Sequence, residues 1–237
     1  EECIREANIR ENVARILVDI GYKGDWELEW WSIYSANTLA LDDYRDERVI
    51  FIGDSAHIVP IFGVRGLNNG LADAENAGWK LARVLNGLSD ESLLDSYTPE
   101  RRGATLDIFE NASKSARFMT PPTKGWTLMR DAALSLSLDH QWAGEFANPR
   151  QMEPFIYFEG GAVLSNLPSV GSVVIGAILP NERLSENTHL SDLLGNSFTL
   201  LVLDDVNPVE LDSLKASLHN VDPQLTLITN SKIRERF

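Results

Sequence analysis

Between Arg48 and Leu85 the chain reads RVIFIGDSAHIVPIFGVRGLNNGLADAENAGWKLARVL. An apolar run, Val49 to Ile52, ends in Gly53-Asp54, a loop carrying Gly63, Gly66 and Gly70 follows, and a helical pattern begins near Asn68. A run that is apolar at every position predicts a short strand covered on both faces. Strand, glycine loop and helix in this order predict an α/β unit, and such units bind ligands at the carboxyl ends of their strands. Asp54 then stands at the sheet edge as an acceptor suited to the hydroxyls of a ribose or sugar-like chain and repellent to phosphate. The three glycines let backbone approach a flat ligand closely. The helix after Asn68 aims its unpaired N–H groups and its positive dipole end at the same place, which favours a planar group that becomes an anion. Taken alone, Gly53-Asp54 is an ordinary strand-ending turn. The whole ordered series makes it a ligand loop.

The flanking elements follow from periodicity and turn chemistry. Ile9, Val13, Ile16, Leu17 and Ile20 predict a helix that ends at Gly21. Trp26 to Ala40, rich in aromatic and β-branched residues, predicts strands. After the loop, Leu71, Ala74, Ala77, Gly78, Leu81, Ala82 and Leu85 mark one helical face, closed by Asn86-Gly87. Thr98-Pro99 predicts a capping residue and a first-turn proline for a second helix, which stops before Pro121-Pro122. A loosely patterned helical stretch runs on to Ala147. Strands are then expected at Phe155–Phe158, Val173–Ile178, Phe198–Leu203 and Leu225–Thr229, with a helix at Pro208–His219 between the last two. Strand, helix, strand of that length predicts a parallel crossover. The composition shift near Asn148 to Glu153 divides the chain into parts 1–45, 46–150 and 151–237.

Charge and cysteine content narrow the function. A net charge of −14 repels phosphate backbones and argues against nucleic acid. No apolar run approaches the roughly 20 residues of a membrane helix. Cys3 is the only cysteine, which points to a reducing cytoplasm and rules out both an intrachain disulfide and Cys-x-x-Cys chemistry. His57, His140, His189 and His219 are scattered without ligand spacing, so no metal site is expected and His57 reads as a hydrogen-bonded structural residue. Asp204-Asp205 allows a metal carboxylate pair or a solvated strand-end turn, and the turn is the commoner outcome.

Gly53-Asp54-Ser55-Ala56-His57, Pro60, Gly63-Val64-Arg65-Gly66-Leu67-Asn68, Asp73-Ala74-Glu75-Asn76 and Trp79-Lys80-Leu81-Ala82 resemble the second flavin-binding motif of single-component aromatic hydroxylases. This is the family of para-hydroxybenzoate hydroxylase and phenol hydroxylase. Leu93-Leu94-Asp95-Ser96-Tyr97 and Glu100-Arg101-Arg102 continue the match. The tail from Gly160, with Asp192-Leu193-Leu194-Gly195 before Phe198-Thr199-Leu200-Leu201, is similar to the thioredoxin-like C-terminal domain of the phenol hydroxylase branch. The implied fold is a mixed α/β (α+β) chain: part of an FAD-binding and substrate domain with long helices, plus a thioredoxin-like lobe.

The resemblance implies an FAD- and NAD(P)H-dependent monooxygenase acting on an aromatic, phenolic small molecule, with a homodimer as a compatible assembly. It implies that Asp54 holds a ribityl hydroxyl of FAD, that Pro60 lies against the isoalloxazine, and that the N–H groups of Leu67 and Asn68 face its N1–C2=O edge. Gly53, Gly63 and Gly66 shape the loop, and Arg65 adds positive potential; read from the residues alone, Arg65 is equally a solvated loop cation. No general acid or base is assigned. Trp30-Trp31 and Tyr34 either line the aromatic-substrate pocket or pack in a core. Two departures stand out. Ile61 follows Pro60 where the family often has a second proline or Pro-Phe, and the G-x-G-x-x-G strand-turn-helix and the mid-chain Asp-Gly motif do not occur in this sequence. With Glu1 as first residue, the expectation is a C-terminal portion of a hydroxylase that lacks the ADP-binding half and binds FAD poorly by itself. The alternatives are a flavin-dependent halogenase or epoxidase on the same scaffold, and a non-catalytic folding or dimerisation module.

Overall fold

Six α-helices carry most of the regular structure in the computed structural model, which describes residues 5–32, 37–60, 65–147, 154–157, 161–162, 174–202, 206–222 and 224–229. The chain divides into two compact units, Glu1–Asn37 and Thr38–Phe237. In the first, α1 (Glu6–Asp19) forms where the apolar spacing predicts it, and Gly21 follows with φ 77°. The expected strands are not formed over residues 26–32, where no neighbouring strand is present among the described residues of this unit to pair with them. Trp30 is 74% exposed, which excludes it from any core of this unit, and Tyr34 lies outside the described residues.

In the second unit β1 (Leu39–Ala40) pairs antiparallel with β4 (His57–Ile58), and β2 (Arg45–Asp46) with β3 (Val49–Ile50). The strand expected to be covered on both faces is instead one arm of this hairpin. Ile50 and Phe51 pack against the buried cluster of Tyr44, Ala56, Ala77 and Tyr97, whereas Val49 and Ile52 are exposed. A two-stranded hairpin supplies cover on one side only, so the apolar run is half used. Arg45 clamps the hairpin to the turn at Glu91–Ser96 through Glu91 (2.5 Å) and Asp95 (2.6 Å).

The long helix α2 (Gly66–Leu85) begins two residues earlier than expected, and its buried face is not the apolar one. Asn69, Asp73, Asn76, Ala77 and Lys80 are buried, while Leu71 and Leu85 are exposed. Helix α3 (Tyr97–Met119) packs along it. Thr98 is not the cap of α3: its Oγ1 accepts the Tyr44 N–H at 3.0 Å, tying the hairpin to the helix start. Pro99 falls in the first turn, where no intrahelical N–H is lost. Two shorter helices, α4 (Lys124–Ser137) and α5 (Gln141–Ala147), fill the loosely patterned stretch.

The tail contains an unforeseen hairpin, β5 (Arg183–Ser185) with β6 (Thr188–His189), and the expected crossover: β7 (Thr199–Val202), α6 (Pro208–Val221) and β8 (Thr226–Thr229). β7 and β8 are parallel, and the Asn207 side chain caps α6 by accepting the Glu210 N–H at 2.9 Å. The strands expected at Phe155 and Val173 are absent from residues 154–157 and 174–178, which are irregular and turn instead; Phe158 and Val173 lie outside the described residues. The crossover lies against α2. Phe198 meets Trp79 edge-on at 5.6 Å, the Arg83 guanidinium sits 4.7 Å over the Phe198 ring, and Arg83 pairs with buried Asp222 at 2.9 Å.

Candidate cofactor loop

Gly53–Ser55 form a single 3-10 turn at the end of the β3 arm, with Gly53 at φ 58°, a conformation other residues adopt at a cost. Ser55 Oγ accepts the Ile52 N–H at 3.0 Å and donates to Ile52 O at 2.8 Å, closing the turn on itself. The turn lies on the first turns of α2: a Cβ on Gly70 would stand 3.5 Å from Gly53 Cα, and the Gly53 N–H donates to Asp73 Oδ2 at 3.1 Å. One carboxylate of α2 thereby holds the strand end against the helix start.

Of the residues expected in the site, Asp54 is exposed on this turn and Pro60 is buried after β4. Gly63 lies outside the described residues. Gly66 opens α2, with Leu67 and Asn68 exposed beside it. The first bond across the cap is Asn69 N–H to Arg65 O at 2.9 Å, so the N–H groups of Gly66, Leu67 and Asn68 precede the intrahelical ladder. Arg65 is no solvated cation: it is 8% exposed, and its Nε has no hydrogen-bond partner among the described residues. Burial pulls the guanidinium below its usual pKa, partly offset by the Asp107 charge. The strand end and the helix start therefore meet, and they bring an exposed acceptor, N–H groups with no partner among the described residues, and a buried cation into one neighbourhood.

Behind the turn lies a buried polar network that the expected site did not include. Asp73 accepts from Arg101 Nε (2.7 Å) on one oxygen and from His57 Nε2 (2.6 Å) on the other, with Gly53 N–H sharing the second. A carboxylate only accepts, so His57 carries its proton on Nε2, and its buried Nδ1 has no partner among the described residues. Arg101 Nη2 donates to Asn69 Oδ1 at 2.6 Å, and Asn69 Nδ2 donates to Thr105 Oγ1 at 2.9 Å. One turn further along, Glu100 Oε2 accepts from Lys80 Nζ (2.6 Å) and Asn76 Nδ2 (2.7 Å), and its Oε1 accepts the Ala162 N–H (2.6 Å). Burial would raise the Asp73 pKa, but the hydrogen bonds from His57 and Arg101 reverse this and hold it below the usual carboxylate value. Burial likewise pulls Lys80 below its usual value, opposed by Glu100. The signal for this network was present in the sequence as polar residues at 69, 73, 76 and 80, one helical stripe.

A cavity of about 630 Å³ lies elsewhere, between the β2–β3 hairpin and the start of α3. Both cations of its lining are already paired, Arg45 with Asp95 and Arg102 with Asp42. No group of three or more metal-binding side chains occurs among the described residues, and none of their helices is long and apolar enough to cross a membrane.

Residues 2–112 match the FAD binding domain family. A 3-(3-hydroxy-phenyl)propionate/3-hydroxycinnamic acid hydroxylase of Mycolicibacterium gilvum is 27% identical over 173 residues, covering 71% of this chain and 30% of that protein. A rifampicin monooxygenase of Rhodococcus hoagii is 44% identical over 91 residues, 38% of this chain and 19% of that protein. Among solved structures, the rebeccamycin biosynthetic enzyme RebC with reduced flavin is similar at a TM-score of 0.59 and 27% identity, covering 80% of this chain and 38% of that one. The chain spans about a third of the length of the first of these relatives and of the solved structure.

Proposed function

Because residues 2–112 match the FAD binding domain family and the chain is similar to an aromatic hydroxylase and to RebC, we propose that it belongs with the FAD-dependent aromatic hydroxylases and forms the isoalloxazine side of the cofactor site in an NAD(P)H-dependent monooxygenase of phenolic substrates. The observation that carries this is the contact of the Gly53–Ser55 turn with the first turns of α2. It sets a hydroxyl acceptor, Asp54, beside a helix N-terminus whose first N–H groups precede the intrahelical ladder and beside buried Arg65, whose Nε has no hydrogen-bond partner among the described residues. That donor set fits one end of FAD: Asp54 for a ribityl hydroxyl, the N–H groups of Leu67 and Asn68 and the charge of Arg65 for the ring edge that becomes anionic on reduction. Pro60 and Gly63 enter through the resemblance alone. Electron transfer from NAD(P)H and activation of oxygen are chemistry that bound FAD supplies. This chain's residues bind and orient the ring and set the potential around it.

The same reading places residues 151–237 as a thioredoxin-like lobe, the protein in the cytoplasm, and its assembly as a homodimer, for which sedimentation is the measurement. The loop is tested by NMR titration with FMN and, separately, FAD. With no G-x-G-x-x-G in this sequence to cradle the pyrophosphate, both should bind weakly and alike, within about threefold. Shifts should centre on Gly53–Ala56 and Gly66–Asn69, and Asp54→Ala should weaken binding roughly tenfold, as loss of a charged acceptor does. Shifts centred elsewhere, or a roughly hundredfold preference for FAD, would refute the assignment.

A further inference from the structure

We propose that Tyr157 is a positioning residue for the cofactor turn: the C-terminal segment reaches over α3 and, through Arg101 and Asp73, fixes Gly53–Ser55. This rests on reading that turn as part of the flavin site. The Tyr157 hydroxyl accepts from Arg101 Nη1 at 3.2 Å and from Asn76 Nδ2 at 3.3 Å. Arg101 Nε then holds Asp73 Oδ1 at 2.7 Å, and Asp73 Oδ2 holds the Gly53 N–H at 3.1 Å. A guanidinium is a rigid planar fork, so its acceptors fix its plane. The other acceptors of Arg101, Asp73 and Asn69, both lie on α2. Among the described residues Tyr157 is the acceptor that comes from outside that helix, and it anchors at Nη1 a fork that is otherwise held only along the α2 edge.

Tyr157 is itself set by its own end of the chain. Its N–H donates to Gly176 O at 3.0 Å, and Gly176 has φ +83°, where a side chain is strained and would also run into the Tyr157 carbonyl. Next to it, Phe155 lies against Gly103 of α3, where a Cβ would stand 2.9 Å from the ring. Two glycines, one in the tail and one in α3, thus admit the segment that carries the hydroxyl.

The test is hydrogen exchange of single amides in the full 237-residue chain. The Gly53 N–H is half-buried and bonded to Asp73, so its protection reads that bond directly. Tyr157→Phe keeps the ring and deletes the hydroxyl. Gly53 should then exchange roughly three- to tenfold faster, the equivalent of one modest hydrogen bond, while Leu81 in α2 and Leu201 in β7 change by less than about twofold. Gly176→Ala displaces Tyr157 without touching its hydroxyl and should give the same selective rise. Unchanged Gly53 exchange in both variants, or a rise shared equally by all three amides, overturns the proposal. FMN titration of the same samples separates the two readings: a selective rise at Gly53 with no flavin-induced shift there keeps the positioning of the turn and removes its flavin role.

Discussion

Replacing Asp73 by asparagine should be among the most damaging single-atom-scale changes this chain can suffer. The side chain is fully buried and serves Gly53 N–H, His57 Nε2 and Arg101 Nε at 3.1, 2.6 and 2.7 Å. An amide has one acceptor oxygen. If it faces Arg101, its NH2 group confronts the Gly53 N–H and the His57 proton; His57 can surrender that proton only by moving it to Nδ1, which is buried without a partner among the described residues. Either way Arg101, 4% exposed, loses its countercharge. Breaking a buried pair from one side costs about 3–5 kcal/mol, a large part of the roughly 5–15 kcal/mol that typically holds a domain together. Urea unfolding followed by helical circular dichroism measures this. Arg101→Met completes a cycle: the double variant should be less damaged than the sum of the singles by about 2 kcal/mol, because neither then leaves an orphaned charge. A loss below about 1 kcal/mol for Asp73→Asn, or costs that add within about 0.5 kcal/mol, would show that the network is not a coupled unit.

The same carboxylate sets an acid limit. Its pKa is lower in the folded chain than unfolded, so its contribution is complete above the unfolded value and disappears as pH falls through the folded one. The urea midpoint of the wild-type chain should therefore drop more steeply than that of Asp73→Asn as pH falls below about 4, and parallel curves would exclude Asp73 as the cause. On the outer side of α2, Arg83→Met should leave Asp222, 7% exposed, without its cation and loosen the tail crossover by about 2–3 kcal/mol. Trp79 fluorescence, sensitive to its edge-on contact with Phe198, should report tail release at lower urea than helix unfolding, whereas a single coincident transition at the wild-type midpoint would count against this role.

Local rules carried well where one element satisfies itself. The Phe198 to Thr229 stretch forms its parallel crossover because the strand spacing and helix length leave few other solutions. They failed where a partner decides the outcome. Trp26 to Ser32 has strand composition, but a strand exists only beside another, and no described strand lies beside it in its unit. Thr98 has the right chemistry for a cap, yet the Tyr44 N–H, 54 positions away in sequence, claims its hydroxyl.

The helix α2 shows why the site was half legible. Its leucines and alanines describe an apolar face, and periodicity alone assigns that face to the core; the structure buries the opposite kind of stripe, Asn69, Asp73, Asn76 and Lys80. Burying such residues is unfavourable unless every charge meets a partner, and here the partners come from elsewhere: Arg101 and Glu100 on α3, His57 on β4, and Tyr157 and Ala162 from the tail. Gly161 also serves this network, because a Cβ there would collide with the Glu100 side chain at 2.7 Å. A polar stripe with no visible counterpart is therefore itself a signal. Asn69, Asp73, Asn76 and Lys80 at helical spacing require a second helix bearing the complementary charges, and Glu100-Arg101, adjacent to each other and 20 and 28 residues beyond Lys80 and Asp73, supply one of each sign. Glycine loops announce where a ligand can approach; matched polar stripes announce what holds the loop still. In this chain the second kind of signal explains why a two-residue strand can present Gly53-Asp54 in a fixed place at all: the turn is bonded to a carboxylate whose position is set by three other elements rather than by the strand that leads into it.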